Sequence, residues 1–364
     1  TFAVLFGTVV IYRQTTHLRS RDLGFRADHV VVIHRSRELR NSHTAFRQAL
    51  LTLPEIVEVS NTDTLPGRHF DDNGHHLEGR PSTEEHSLWT MSADAHFKDL
   101  AGLKVVEGRY FSEEFPTDAT SSVVINETAV RELGLENPIG QRFNKEFGEA
   151  EKGEFVTIIG VVKDIHIQSL QYAIRPMIIR PLMDGSGFYT SVKIRPENLQ
   201  KTLRFIENRW KEFCGGQPFT FSFLSEDFDS LYKREKKSGF LFSIFTFLAV
   251  FIACLGLLGL VSFAAEERTK EIGIRKVLGS PVVKIILLLT KEIVFLQIIA
   301  VFISTPLVLW AMSRWLQSFA YRIHLGVFLV LAVLLMSFLI PILTVVFRTY
   351  RAAAADPVHS LRAE

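Results

Sequence analysis

The residues best suited to chemistry gather in one stretch. His69, Asp71, Asp72, His75, His76 and Glu78 lie in the polar segment from Pro66 to Glu85, and His86 follows it. Imidazoles and carboxylates are the usual ligands of zinc and related ions, but this spacing matches no standard site. The Gly, Asp and Asn residues among them favour turns. The segment reads as a solvated loop or hairpin tip, with no metal assigned. A membrane enzyme working through His75 and His76 is the competing reading. The adjacent Glu113 and Glu114 make no stronger case for acid–base chemistry. No G-x-x-x-x-G-K-[ST] phosphate loop occurs, so the chain is not expected to hydrolyse ATP by itself; no G-x-S-x-G or H-E-x-x-H occurs either. Asp184-Gly185-Ser186-Gly187 reads as a turn. Cys214 and Cys254 fall in regions too different to pair, so no disulfide framework is expected.

The elements that must carry these residues are set by where the apolar residues fall. Across 364 residues, 47% are hydrophobic, and the net charge of +2 gives no basic field for nucleic acid. Three windows, 240–263, 293–312 and 325–347, hold no charged residue. Each reaches the roughly 20 residues needed to cross a bilayer core of about 30 Å. A fourth apolar run, Phe2 to Tyr12, has only about 11 residues and reads as the end of a truncated first helix. It lacks the pattern of a signal peptide.

Residues 13–238 have a globular, mixed pattern. Val30–Ile33 reads as a buried strand. Asn41 or Ser42 is placed to cap a helix with Phe46, Ala49, Leu50 and Leu53 inward and Pro54 as its stop; Ile56–Val59 reads as the next strand. Strands are expected at 88–92, 122–125, 155–162, 191–194 and 219–224. Asn126 caps a helix to Leu133, a second helix runs 197–213, and a charged helix runs 225–237. The fold class expected is an α+β domain inserted between transmembrane α-helices, in a four-helix membrane unit with its first helix truncated.

After the first full span comes Ala264–Pro281, AAEERTKEIGIRKVLGSP, a short amphipathic helix stopped by Gly279 and Pro281. It could lie on lipid or dock into the groove of a partner. Lys291 and Glu292 sit near the start of the second span and are expected at the interface, where they can snorkel. Pro306 and Pro341 lie within spans. Ser243, Thr246, Ala249, Ala253 and Gly256 make a small-residue face suited to helix packing. Basic residues flank the spans on both sides, so the charge bias leaves the orientation open.

Several of these stretches carry a family resemblance. ERTKEIGIRKVLGS (267–280) and the C-terminal ADPVHSLR (355–362) resemble the signature segments of MacB/FtsX-like ABC transporter permeases. So do VVKDIHIQSL (161–170), EGRYF (107–111), NETA (126–129) and FLSEDFDSLYK (223–233) in the soluble part, and WLQSFAYRI (315–323) is similar to the Bacteroidetes variant. The family's members of this type are often double-length, so the chain resembles one half, the second, or a fragment.

The resemblance implies residues 13–238 as a periplasmic core domain with a porter-like β-α-β lobe and a second lobe. It implies residues 239–364 as an FtsX-like permease domain: spans 240–263, 285–312 and 325–347, a coupling helix at 266–279 and a cytoplasmic tail at 348–364. It implies a bacterial inner-membrane protein, a permease subunit that passes the motion of a separate cytoplasmic ATPase to the periplasm for export or mechanotransmission. Glu271, Ile272, Gly273, Ile274, Arg275, Lys276, Leu278 and Gly279 would be the ATPase-docking set. ATP and Mg would sit on that partner, and this chain would bind no cofactor. A second permease half or a homodimer mate, a periplasmic fusion protein and an outer-membrane channel are the further partners implied. The alternative is a membrane-anchored sensor with a ligand-binding external domain.

Overall fold

The computed structural model describes residues 2–19, 23–81, 84–144, 154–182, 187–267, 274 and 281–354. The chain forms two compact units, Arg21–Lys233 and a second made of Thr1–Ser20 with Arg234–Glu364.

The first unit is built on one sheet. Its strands are β1 (Val30–His34), β2 (Ile56–Thr62), β3 (Asp71–His75), β4 (His86–Ala93), β5 (Val105–Gly108), β6 (Ser122–Asn126), β7 (Arg142–Asn144), β8 (Phe155–Val162), β9 (Met177–Pro181), β10 (Tyr189–Ile194) and β11 (Phe221–Phe223). They run in the order β11-β1-β10-β2-β4-β9-β6-β8-β5, with β3 on β4 and β7 on β8. The first four strands form one lobe. β1, α2 (His43–Leu51) and β2 make one β-α-β unit; β10, α6 (Leu199–Phe213) and β11 make another. The two units interleave, because β10 lies between β1 and β2 and runs antiparallel to both. Phe46 and Leu50 of α2 and Ile206 and Trp210 of α6 enter one core with Val31, Ile33, Val59 and Val192. That shared core places both helices on one face of the sheet. Phe46 and Trp210 meet edge to face at 6.1 Å, and Ser42 begins α2 without a side-chain cap bond, after a 3-10 helix at Ser36–Ser42.

The remaining strands form the second lobe, inserted between β2 and β10. Its pairings mix parallel (β4 with β9, β6 with β8) and antiparallel (β9 with β6, β8 with β5) ladders. Its own core gathers Val123, Ile125, Phe143, Val156, Ile158 and Ile178 under α5 (Glu127–Glu132). The two lobes join through a single rung of the sheet, Thr62 opposite Ala93. Buried polar groups reinforce that narrow junction. Asp94 accepts from Ser60 Oγ at 2.6 Å, from the Asn61 amide at 2.7 Å and from the Phe97 amide at 3.1 Å. Asn61 Oδ1 in turn accepts from Thr190 Oγ1 at 2.6 Å. Short helices α3 (Phe97–Ala101), α4 (Asp118–Ser121) and α7 (Leu224–Ser230) complete the domain.

The second unit contains α1 (Phe2–Arg19), α8 (Lys233–Glu267), α9 (Val282–Leu316) and α10 (Val327–Ala354). Three of these carry windows long and apolar enough to cross a membrane: Lys237–Phe263, Val294–Leu316 and Val327–Thr344. Lys291 and Glu292 precede the window of α9, and the Lys291 side chain is exposed. Phe2, Phe6 and Val10 of α1 pack with Leu316 of α9 and Leu329 and Val333 of α10.

Candidate functional site

The metal-capable stretch is part strand and part hairpin tip: Asp71–His75 is a paired strand, and residues 76–81 and 84–85 belong to the tip that turns into β4. Asp71–His75 forms β3, with five rungs against β4 from Asp71↔Thr90 to His75↔His86. Its side chains are spent on neighbours. Asp72 accepts from Ser87 Oγ and pairs with Arg175 at 3.1 Å; Glu78 pairs with Arg142 at 2.9 Å. His75 is fully buried against the Phe143 ring, and that burial pushes its imidazole down to about 4. Among the described residues no group of three or more His, Cys, Asp or Glu side chains could hold a metal ion. Glu113 bonds His96 at 3.2 Å.

The stretches that carry the family resemblance come together elsewhere. In NETA, Asn126 caps α5 by accepting from the Ala129 amide at 2.9 Å, and the same oxygen accepts from the Met177 amide at 2.9 Å. Its Nδ2 donates to Arg175 O at 3.0 Å, so one side chain fixes a helix end to β9. VVKDIHIQSL meets NETA directly. Asp164 accepts from the Thr128 amide and hydroxyl, both at 2.8 Å, while Glu127 accepts from the Asp164 amide at 3.1 Å. This is the reciprocity of a capping box, made between two distant segments. In EGRYF, Gly108 stands opposite Gly160 with φ at +68°, where a Cβ would meet the Ile159 carbonyl. Arg109 then grips Asp118 with both guanidinium nitrogens, at 2.5 and 2.8 Å. Burial opposes the charge on Asp118, yet the bonds from Arg109 and Ser122 outweigh it and hold its pKa below the usual carboxylate value. Tyr110 is buried, and that burial, with the Asp94 charge nearby, raises its phenol.

The same VVKDIHIQSL segment also receives both ends of the domain. At the entry, the His166 amide donates to Leu23 O at 2.8 Å. Gly24 has φ at +78°, and a Cβ there would lie 2.5 Å from Asp164 O. At the exit, the Leu170 amide donates to the Tyr232 hydroxyl oxygen at 2.8 Å. Phe25 of the entry and Phe228 of the exit meet edge to face at 5.7 Å. Arg68 bonds Asp227 at 2.8 Å, and Gly67 N donates to Ile167 O at 2.8 Å. Residues 163–170 thus form a collar. The chain coming from α1 and the chain leaving for α8 are tied to one segment, which Asp164 connects to the second lobe.

Comparison with known proteins decides what this architecture is. The MacB-like periplasmic core domain matches residues 2–205, and the FtsX-like permease C-terminal domain matches residues 243–357. The chain belongs to the MacB/FtsX-like ABC transporter permeases. A relative described as macrolide export ATP-binding/permease protein MacB 2, from Aeromonas hydrophila, is 24% identical over 87% of the chain and 48% of its own length. MacB of Aggregatibacter actinomycetemcomitans is 26% identical over 52% of the chain and 30% of its own length. The chain therefore spans less than half the length of these curated relatives. Among solved structures, the periplasmic region of MacB from Actinobacillus actinomycetemcomitans is 16% identical. It covers 60% of this chain and 98% of its own, with a TM-score of 0.42. A domain of a putative permease from Porphyromonas gingivalis is 18% identical, covers 55% of this chain and 92% of its own, and has a TM-score of 0.40. The protein is an ABC transporter permease subunit of the inner membrane, and its sheet domain is periplasmic.

Within the permease bundle, the expected docking set falls almost wholly outside the described residues. Glu271, Ile272, Gly273, Arg275, Lys276, Leu278 and Gly279 all do; Ile274 is helical with its side chain exposed. The tail beyond Ala354 also lies outside them. The small-residue face divides. Thr246 is buried and bonds Thr8 of α1 at 2.6 Å, and Ala249 and Ala253 are half-buried. Ser243 and Gly256 are exposed, with Ser243 bonded to its own helix at Gly239 O.

Two polar side chains that sequence reasoning missed are central to the bundle. Pro341 has no amide hydrogen for Ser337 O four residues earlier. Gln297 of α9 supplies one, donating to Ser337 O at 2.5 Å. Gln14 of α1 bonds the turn that follows α9. The periodicity of a span gives no signal for either: Gln297 is one uncharged polar residue in an apolar run, and Gln14 lies just past the Phe2–Tyr12 run among other polar residues.

Proposed function

We propose that this permease transmits the ATP-driven motion of a separate cytoplasmic ATPase to its periplasmic domain, for export or for mechanical signalling there. One observation carries the reading. Both covalent connections of the domain are tied to residues 163–170, so a displacement arriving along either helix is delivered to the same segment. From there Asp164 passes it to α5 and the second lobe. The single rung between the lobes gives the sheet a place to yield. No catalytic side chain is needed for such work.

The motor would grip the segment after α8. Glu271, Ile272, Gly273, Ile274, Arg275, Lys276, Leu278 and Gly279 form the docking set, with Arg275 and Lys276 facing acidic groups and Ile272, Ile274 and Leu278 filling an apolar groove. ATP and Mg belong to that partner. A second permease half or a second copy completes the membrane unit, and a periplasmic fusion protein and outer-membrane channel are the further partners of an export assembly. The relatives' role in macrolide export makes efflux the first cargo class to examine.

The test is co-purification of the full chain with its partner ABC ATPase. Wild type retains the ATPase, and the double variant Arg275→Glu with Leu278→Asp loses it. Retention by the double variant, with ATP-driven function intact, would remove the docking assignment.

A further inference from the structure

Gln14 is 1% exposed and lies near the C-terminal end of α1. Its amide makes two bonds to one short piece of backbone. Nε2 donates to Tyr321 O at 2.8 Å, and Oε1 accepts from the Ile323 amide at 2.9 Å. That backbone belongs to the connection between α9 and α10. A primary amide carries the same donor and acceptor as a peptide group. Gln14 therefore pairs with residues 321 and 323 as an adjacent strand would. Apolar contacts and local backbone bonds also shape the connection: Leu316 and Phe319 are buried, Trp315 meets Phe319 edge to face at 4.8 Å, and the Phe319 amide donates to Leu316 O at 3.1 Å. The α1 residues that pack inward, Phe2, Phe6 and Val10, contact α9 and α10 along the same side.

We infer that Gln14 is a positioning residue that locks α1 to the α9–α10 connection, so that these three helices form one block in the permease. Packing alone fixes a helix face but tolerates sliding along the axis. A two-point bond to backbone sets the axial register. Only a side chain with a donor and an acceptor at this spacing can do that. The inference deepens the transmission reading above, because the block is what a moving helix would push against. The lock itself is testable without any ATPase.

The experiment is hydrogen exchange by mass spectrometry on the full chain in lipid nanodiscs, followed in peptides covering residues 317–326. Three proteins are compared across pH: wild type, Gln14→Leu and Gln14→Glu. Leu removes both bonds, and protection in these peptides should fall about tenfold. Glu is the sharper probe. As a neutral acid it can donate to Tyr321 O and accept from Ile323 N, as Gln does; once ionised it has no donor. Protection in Gln14→Glu should match wild type at low pH and fall towards the Leu level as the pH rises. Arg13, His17, Arg322 and His324 flank the pair in sequence and are present in all three proteins. A disulfide formed between Thr8→Cys and Thr246→Cys should be unaffected by either Gln14 variant, showing that α1 stays folded. Protection unchanged in Gln14→Leu, or a pH profile for Gln14→Glu parallel to wild type, would overturn the assignment. Neither result bears on ATPase docking, which the co-purification above judges separately.

Discussion

α1 brings the chain into the periplasmic domain and α8 takes it out, and the bundle holds these two helices differently. α1 buries Phe2, Phe6 and Val10 among residues of α9 and α10, and Gln14 adds two bonds to the backbone that joins them. Among the described residues, α8 contributes nothing to that core. It meets α1 through the Thr8–Thr246 hydroxyl pair, and Leu5, Val250, Ala253, Leu257 and Pro341 line a small cleft where α1, α8 and α10 approach. One helix is anchored by several packed aromatic and aliphatic side chains, the other by the buried Val261 and a few polar contacts beside a small cleft. A helix of the second kind can shift at low cost. It is also the helix that leads straight into the segment proposed to meet the ATPase.

The contrast can be broken most sharply at Phe6. Its side chain is fully buried, so Phe6→Ala should cost about 3–5 kcal/mol. Leu257→Ala, on the half-buried face of α8, should cost less than half of that. Thermal unfolding of the full chain in detergent measures both, and equal losses would abolish the distinction between the helices. The difference should carry into the collar. Gly24→Ala places a methyl group against Asp164 O in a left-handed backbone and should destabilise the entry by about 2 kcal/mol. Tyr232→Phe removes the acceptor for the Leu170 amide, and should cost about 1 kcal/mol at the exit. Hydrogen exchange of residues 163–170 reads both, and a larger effect from Tyr232→Phe would reverse the order. The smallest change is expected from Thr246→Val, about 0.6 kcal/mol by the measured worth of hydrogen bonds between membrane helices. A loss of several kcal/mol there would mean that α8 is anchored after all.

Much of the domain was legible because its signals are local. The strand at Phe155–Val162 and the Asn126 cap stand where the sequence placed them, since a β-branched apolar run and an Asn before a helix each act over a few residues. Strands at Arg142–Asn144 and Met177–Pro181 were not anticipated. They are short, and the ladders with β8, β4 and β6 hold them extended. β3 is the extreme case: DDNGH has turn-forming composition and is a strand because β4 supplies five rungs. The split of the small-residue face has a geometric cause at one end. At about 100° per residue, Gly256 falls roughly 80° around the helix from Thr246, whereas Ser243 stays on the Thr246 side and is exposed for another reason. The packed arc instead follows Thr246, Val250, Leu257 and Val261. The collar was legible only as a set of familiar segments. That Asp164, Gly24 and Tyr232 converge is a fact of tertiary folding, and no local pattern encodes it.

The bond from Gln297 to Ser337 O has a consequence for how this bundle can change over generations. Pro341 leaves a carbonyl that needs a donor, and Gln297 has a donor that needs a carbonyl. Replace Pro341 alone, and the restored amide of residue 341 competes for Ser337 O, leaving the Gln297 amide stranded in an apolar setting. Replace Gln297 alone, and the carbonyl is left bare. Residues 297 and 341 thus form one physical unit, and a change at either is expected to be tolerated best when the other changes with it.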